Sequence, residues 1–278
     1  MKKTLLVILL IISFILAGSV SAIGEEDFFE LVKTGTPDEV KKAIDAGADV
    51  NAQTTKEIEG FREVEGVTPL IMAARYNQNP EVIKVLLGAG ANVNTRDANG
   101  FTPLMHAAEN NQNPEVIKVL IDAGADVNVQ TEDGYTPLMR AAILNQNPEI
   151  IKVLLEAGAD LNVRGKHGLT PLMWAAGGNQ NPEVIKLLLD AGADVNVQNK
   201  DSMTPLMFAA QCNQNPEIIR ILVDAGTDIN ARSKNGMIPL MYAAKDNQNP
   251  EVIKALLDAG ADVNARDKDG VTPLMWAA

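Results

Sequence analysis

The chain has few of the side chains that carry most enzyme chemistry. It contains one cysteine, Cys212, and two histidines, His106 and His167, which lie far apart in the sequence. This set does not provide a zinc site, a Ser-His-Asp arrangement or a Cys-His pair. A single cysteine also excludes an internal disulfide, so the fold does not rely on one. We therefore expect a non-catalytic protein with no cofactor and no metal; an enzyme built on an unforeseen carboxylate site is the remaining alternative.

Basic residues are also scarce. The chain has 24 Lys and Arg against 36 Asp and Glu, a formal net charge of -12. Proteins that contact the phosphate backbone need clustered Lys and Arg, so we expect no nucleic-acid partner. The acidic residues recur at equivalent positions along the chain, which favours an acidic scaffold over a dedicated cation-binding face. No small-molecule substrate is evident, because no glycine-rich phosphate-binding run is present.

A long apolar run occurs at the start of the chain. Lys2 and Lys3 precede the apolar residues 5–17, and Val-Ser-Ala at 20–22 is typical of a cleavage site. Residues 1–22 are therefore predicted to be a signal peptide, which would direct the protein to a periplasmic or secreted location. The alternative is an uncleaved membrane anchor, because residues 4–23 are about long enough to cross a bilayer.

Most of the chain consists of one segment repeated every 34 residues. Each copy contains two helix starts, such as Thr102-Pro103 and Asn113-Pro114, in which a capping side chain precedes a proline at the first helical position. The second helix is predicted over 114–122 and ends before Gly124, which suits a left-handed cap. A fixed period of this size indicates a solenoid, in which each unit buries its apolar face against its neighbours.

The repeated runs T-P-L-x-x-A-A, V-I-x-x-L-L and G-A-D-V-N resemble the consensus of the ankyrin-repeat family. The resemblance covers nearly all of the chain after the predicted signal peptide, and it suggests a bacterial-type exported member. It implies an all-α repeat solenoid of stacked helix-turn-helix units with projecting hairpin-like loops. It also implies a concave helix and loop face that binds a partner protein; a membrane is involved only if the N-terminal segment is retained.

The predicted ankyrin-repeat array covers residues 23–278. It begins with an N-terminal capping repeat over 27–67, whose additional loop residues we expect to form a charged finger. This insertion is interpreted either as a tolerated surface loop or as a binding element. The last copy, 272–278, stops within its first helix, and we expect an incomplete sequence or a frayed helix there. Six full repeats lie between, starting at residues 68, 102, 136, 170, 204 and 238.

Two features depart from the family pattern. The histidine that usually follows T-P-L is replaced by Met105 and its equivalents, with Ile71 in the first full unit. Because methionine is an apolar filler, the helix-to-loop hydrogen bond usually made there should be absent. The other departure is the run N-Q-N-P-E, found six times, which lengthens the turn between the two helices.

Positions that change between copies are the candidates for specificity. The slot after the methionine is the most variable and contains both tryptophans of the chain, and a second variable pair includes the apolar Ile143 and Leu144. Trp, Tyr and Arg often anchor interfaces, and an exposed apolar patch indicates docking. The alternative is that the rings fill space between first helices. The candidate partner-binding residues are His106, Arg140, Ile143, Leu144, Trp174, Phe208, Tyr242 and Trp276.

Three local sequence features predict lower stability toward the C-terminal repeats. Gly177 and Gly178 would each weaken a helix by roughly 1 kcal/mol. Ser202 replaces the glycine of the turn, where a left-handed backbone is disfavoured by about 1 kcal/mol. Ile238 replaces a threonine N-cap, again at a cost of about 1 kcal/mol.

Overall fold

The computed structural model describes residues 24–54 and 65–278, and all regular structure in these two ranges is helical. The predicted signal peptide and most of the predicted charged finger lie outside the described residues. Helices occur in pairs, one pair for each repeat, and a single short helix lies at the end. In chain order they are α1 (Glu25–Thr34), α2 (Pro37–Asp45), α3 (Pro69–Tyr76), α4 (Pro80–Gly88), α5 (Pro103–Asn110), α6 (Pro114–Asp122), α7 (Pro137–Leu144), α8 (Pro148–Glu156), α9 (Pro171–Gly178), α10 (Pro182–Asp190), α11 (Pro205–Cys212), α12 (Pro216–Asp224), α13 (Pro239–Asp246), α14 (Pro250–Asp258) and α15 (Pro273–Trp276).

The helices begin where the capping residues predict. Thr102 Oγ1 accepts a hydrogen bond from the Met105 amide at 3.4 Å, and Asn113 Oδ1 accepts one from the Glu115 amide at 3.0 Å. These bonds satisfy backbone donors that a helix leaves free in its first turn. After the second helix, Gly124 has φ +92°, a conformation that glycine adopts without steric cost. The prediction of two helices in each full repeat is therefore confirmed.

The core is a continuous stack of equivalent layers. First helices pack against the first helices of adjacent repeats, and second helices pack against second helices in the same way. Ala107 and Ala108 are fully buried, and their small side chains allow the first helices to approach closely. Val116, Ile117 and Leu120 bury the apolar face of the second helix against the same core. This arrangement confirms the predicted all-helical repeat solenoid.

A ladder of buried asparagines joins the repeats at the turn between the two helices. Asn145 is fully buried, and its Nδ2 donates to the carbonyl oxygens of Ala108 and Asn111 at 2.8 Å each. Its Oδ1 accepts a hydrogen bond from the Asn147 amide at 2.9 Å. The same donations to the preceding repeat are made by the first asparagine of every N-Q-N run: Asn77, Asn111, Asn145, Asn179, Asn213 and Asn247.

Two further asparagine positions connect neighbouring repeats. The second asparagine of the turn caps its own helix and also donates backward, as Asn147 Nδ2 does to the Gln112 carbonyl at 2.8 Å. The asparagine of the G-A-D-V-N run reaches forward, as Asn94 does by donating to the Gly124 carbonyl at 3.0 Å and accepting from the Asp126 amide at 3.0 Å. The N-Q-N-P-E run therefore lengthens the turn and also supplies hydrogen bonds between repeats.

The loops that follow the second helices have hairpin-like backbone pairing. Within one loop the Thr131 amide donates to the Tyr135 carbonyl at 3.1 Å, and the Gly134 amide donates to the Thr131 carbonyl at 2.9 Å. Successive loops are joined, because the Lys166 amide donates to the Asp133 carbonyl at 3.0 Å. These bonds fix the position of each loop relative to the next.

The three destabilising sequence features have the predicted local geometry. Gly177 and Gly178 both lie within α9. Ser202 has φ +56° and is the only residue other than glycine with a positive φ in the described ranges. The α13 helix has no side-chain cap at Ile238. Lower stability toward the C-terminal repeats stays a prediction. In α15, Leu274 is 80% exposed, whereas its equivalent Leu240 is buried.

Candidate functional site

Two of the eight candidate residues are buried, and the other six are at least partly accessible. His106 and Tyr242 are buried, at 5% and 8% exposure, between the helices and loops of their repeats. Leu144 is 49% exposed and is the most accessible of the eight. Arg140, Ile143, Trp174, Phe208 and Trp276 are half-buried. Whether any of them contacts a partner stays a prediction, but the half-buried and exposed side chains are the ones that a partner can reach.

Arg140 is held between two aromatic rings and a carboxylate. Its guanidinium carbon lies 5.0 Å from the centre of the Phe101 ring and 5.5 Å from that of Tyr135. Its Nε donates to Glu109 Oε2 at 2.8 Å, and its Nη2 contacts the same oxygen. Trp174 continues this cluster, because its ring centre lies 5.4 Å from that of Tyr135. These contacts fix the orientation of Arg140 before any partner binds.

Ile143 and Phe208 lie on either side of a glycine pair. A Cβ on Gly178 would be 2.7 Å from Ile143 Cγ1, and a Cβ on Gly177 would be 3.5 Å from Phe208 Cβ. The missing side chains therefore allow α7 and α11 to place apolar groups against α9. We call the surface formed by Tyr135, Arg140, Ile143, Leu144, Trp174 and Phe208 the central patch.

Two of the candidate residues connect the first helix to the loop before it. His106 Nε2 and Asp97 Oδ2 are 2.8 Å apart, and Trp276 Nε1 donates to Asp267 Oδ2 at 3.0 Å. In these two repeats a helix-to-loop hydrogen bond is made by the residue after the methionine, a position for which the sequence did not predict one.

Asp267 shows how a loop carboxylate is held. Its Oδ1 accepts hydrogen bonds from the amides of Asp269 at 3.0 Å and Val271 at 2.8 Å, while Oδ2 accepts from Trp276. Burial alone would raise the pKa of this carboxyl, but the hydrogen bonds from Val271, Trp276 and Asp269 outweigh it and lower the pKa. One carboxylate therefore gathers three N–H donors from its own loop and helix.

A pocket of about 150 Å³ lies beside the central patch, between two successive loops. Lys166 Nζ spans the two loops and lies 2.8 Å from Asp133 Oδ1. The hydrogen bond from Lys166 lowers the pKa of the Asp133 carboxyl. Tyr135 and Trp174 belong to both the pocket and the central patch. The pocket is lined by Asp133, Gly134, Tyr135, Met139, Gly165, Lys166, His167, Leu169 and Trp174.

Sequence reasoning missed several residues of this region. Phe101 and Tyr135 occupy the position before the helix-starting threonine, and this position also varies between copies, although it is apolar or aromatic in all of them. A comparison of that position across the copies would have identified both rings. Asp97 and Asp267 gave a weaker signal, because they occupy a turn position that is polar in most loops.

Two observations on the described residues concern metal binding and thiol reactivity. No group of three or more His, Cys, Asp and Glu in 24–54 and 65–278 has a geometry suited to a metal ion. Burial, with a smaller contribution from Asp246, raises the pKa of the Cys212 thiol, which opposes formation of the reactive thiolate. Within the same ranges no helix is both long and apolar enough to cross a bilayer.

Comparison with known proteins agrees with this architecture. The family profile described as "Ankyrin repeats (3 copies)" matches residues 28–131, 108–199, 138–233 and 206–278, which together cover most of the chain. No curated protein was found to match the chain. With its stacked helix pairs, its capped helix starts and this coverage, the chain belongs to the ankyrin-repeat family.

Proposed function

We propose that this protein binds a partner protein through the central patch and acts as a non-catalytic scaffold. Ankyrin repeats are generally protein–protein interaction modules, and proteins built from them are typically not enzymes. The observation that supports this surface is the exposure of Leu144, 49%, beside an aromatic and arginine cluster that is already oriented. Trp, Tyr and Arg are the residue types most often found as interface hot spots.

The fixed position of Arg140 favours binding. A side chain that loses rotamer freedom on association costs about 0.5–1.5 kcal/mol. Arg140 has already lost much of that freedom, because Phe101, Tyr135 and Glu109 hold it from three sides. A partner that meets this surface therefore orders fewer groups than it would on a surface of free side chains.

We further propose that the array works outside the cytoplasm, exported by residues 1–22. The support is the charged start, the apolar run and the small-residue cleavage site of this segment. The second candidate is a membrane-tethered array that keeps the segment, supported by the length of the apolar run. The intact mass of the protein from its native cells separates the two, because cleavage removes the first 22 residues and tethering retains them.

The binding proposal is tested by changing Trp174 and Phe208 together to leucine. Loss of two hot-spot side chains should weaken capture of the partner by at least about 30-fold, equivalent to about 2 kcal/mol. The matched control is Leu257→Ser, which removes a 41% exposed apolar side chain from the second-helix face of α14.

We expect the unmodified chain and the control to capture the same proteins from the native compartment. The double variant should not capture them. Thermal melting of all three proteins is measured in parallel. Equal capture by the double variant would refute the central patch as the binding surface. A collapse of the fold in the double variant would instead assign both rings to packing, and Leu144→Ser then tests the exposed part of the patch separately.

A further inference from the structure

One loop position carries a different type of residue in different repeats. It lies nine residues before the slot that follows the methionine, as Asp97 lies before His106. In the last repeat it is Asp267, whose carboxylate accepts from the Asp269 amide, the Val271 amide and Trp276 Nε1. In the Asp97 loop the carboxylate accepts two amides in the same way. The residues at this position are Asp97, Thr131, Gly165, Asn199, Ser233 and Asp267.

The loop at Gly165 has the equivalent N–H donors but no side-chain carboxylate to accept from them. Its backbone matches that of the Asp267 loop, because the Gly165 amide donates to the Leu169 carbonyl at 3.0 Å, as the Asp267 amide does to Val271 at 3.1 Å. Gly165 has no side chain, and the first helix after it carries a tryptophan, Trp174, at the slot of Trp276. Within the described ranges the structure gives no acceptor for a hydrogen bond from the His167 amide, the Leu169 amide or Trp174 Nε1.

The residues that carry these groups line the same cavity. His167, Leu169, Trp174 and Gly165 line the pocket of about 150 Å³ beside the central patch. The volume is large enough for a group of several atoms, since a water molecule occupies about 30 Å³ in the liquid. The pocket is therefore lined by three residues whose equivalents in another repeat direct N–H donors to one carboxylate.

We propose that this pocket binds a carboxylate of the partner protein, in the place that the Asp267 side chain takes in its own repeat. The inference rests on the proposed function, because it takes the ligand to belong to the bound partner. Charge-assisted hydrogen bonds from backbone amides are among the strongest that a carboxylate can accept. The acidic residue that lines the pocket is Asp133, and the ammonium group of Lys166, 2.8 Å away, offsets its charge. The rings of Tyr135 and Trp174 provide an apolar wall beside the donors.

The chain itself offers a variant that fills the pocket from within. Gly165 does not have a positive φ, and a Cβ there would lie 3.3 Å from the Gly134 carbonyl oxygen, a contact that a shift of a few tenths of an ångström relieves. Aspartate is tolerated at this position in two other loops, at Asp97 and Asp267. Gly165→Asp should therefore place an internal carboxylate on the His167 and Leu169 amides.

The experiment titrates acetate into the ¹⁵N-labelled full chain, with acetamide as the neutral probe of the same shape. Acetate should shift the signals of the Trp174 indole and of the His167 and Leu169 amides in a saturable way, with a dissociation constant on the order of millimolar. The Trp276 indole is the internal control, because its partner Asp267 is already in place. In Gly165→Asp the acetate response should be lost, and the Trp174 indole signal should move toward that of Trp276.

Equal responses to acetate and acetamide, no response to acetate, or an undiminished response in Gly165→Asp would each overturn the inference. Two further probes distinguish the source of the carboxylate: N-acetyl-leucinate presents the carboxylate of a chain end, and N-acetyl-glutamic acid α-amide that of a side chain. The tighter of the two assigns the source. Partner capture that survives Gly165→Asp but not the Trp174/Phe208 double change would overturn the carboxylate site and leave the proposed function standing.

Discussion

The array has a turn edge, formed by the N-Q-N turns between paired helices, and a loop edge, formed by the hairpin-like loops. Polar residues are constant between repeats at the first edge and variable at the second. At the turn edge, each N-Q-N run begins with an asparagine that bonds two carbonyls of the preceding repeat. At the loop edge, the position of Asp97 and Asp267 changes from copy to copy, and so does the bonding around it. A polar residue repeated without change therefore belongs to the scaffold here, whereas a polar residue that changes marks where the surface can acquire specificity.

The difference has a physical cause. The turn asparagine is fully buried in four of its six copies, so the carbonyls that it serves have no access to water. A buried polar group without a partner costs about 1–3 kcal/mol, and every copy therefore needs the same side chain. At the loop edge Asp97, Thr131 and Ser233 are also buried, but the groups served there are amides of the same loop, and side-chain oxygens of Asp, Thr and Asn each accept from such amides. Several residue types are therefore tolerated at this position.

The strongest test of this comparison is Asn145→Ala at the turn edge. The change leaves the carbonyls of Ala108 and Asn111 and the amide of Asn147 without their partner, and we expect a loss of about 3 kcal/mol in the free energy of unfolding. Denaturant unfolding measures the total, and hydrogen exchange shows whether the loss centres on the repeats joined by Asn145.

Gln146→Ala is the matched control, because Gln146 is exposed and adjacent in the same turn. It should change the stability by less than about 0.5 kcal/mol. An Asn145 variant as stable as this control would mean that the ladder contributes little and that the repeated asparagines serve another purpose.

A second test uses the glycine pair at the end of α9. The residues at this position differ between copies, but contacts with neighbouring helices limit which side chains fit. Alanine at Gly178 would place a Cβ 2.7 Å from Ile143 Cγ1, and we expect a loss of about 1–2 kcal/mol despite the better helix propensity of alanine. Alanine at Gly177 meets Phe208 at an ordinary 3.5 Å and should stabilise by up to about 1 kcal/mol. Thermal melting of the two variants measures the difference in sign.

The contact with Ile143 is checked by a double change. In the background Ile143→Ala the clashing Cγ1 is absent and only the 3.2 Å contact with the carbonyl oxygen of residue 143 remains, so the further change Gly178→Ala should destabilise much less. If Gly178→Ala costs the same in both backgrounds, the Ile143 contact is not the cause.

The sequence predicted the parts of this structure that local chemistry decides. Thr102 with Pro103, and Asn113 with Pro114, start helices because capping depends only on residues a few positions away. The asparagine ladder was missed because Asn145 bonds residues 34 and 37 positions earlier, and no local signal marks such a partner. The pocket was missed for a similar reason. Its defining feature is the side chain that Gly165 lacks, which becomes visible only when loops of known geometry are compared.

The smallest expected effect is at the loop edge, at Ser202. Its φ of +56° is a conformation that costs a residue with a Cβ about 1 kcal/mol, and glycine occupies the equivalent position in the other loops. Ser202→Gly should therefore stabilise the protein by up to about 1 kcal/mol, less the entropy that glycine adds to the unfolded chain. The matched control is Asp201→Gly, at an exposed neighbour without a positive φ, which should destabilise slightly because only the entropic cost remains. Opposite signs in denaturant unfolding would show that strain was present at Ser202 and that the loop edge tolerated it. Equal signs would mean that the loop relaxes around either residue, and the contrast between a strict turn edge and a permissive loop edge would then extend to the backbone itself.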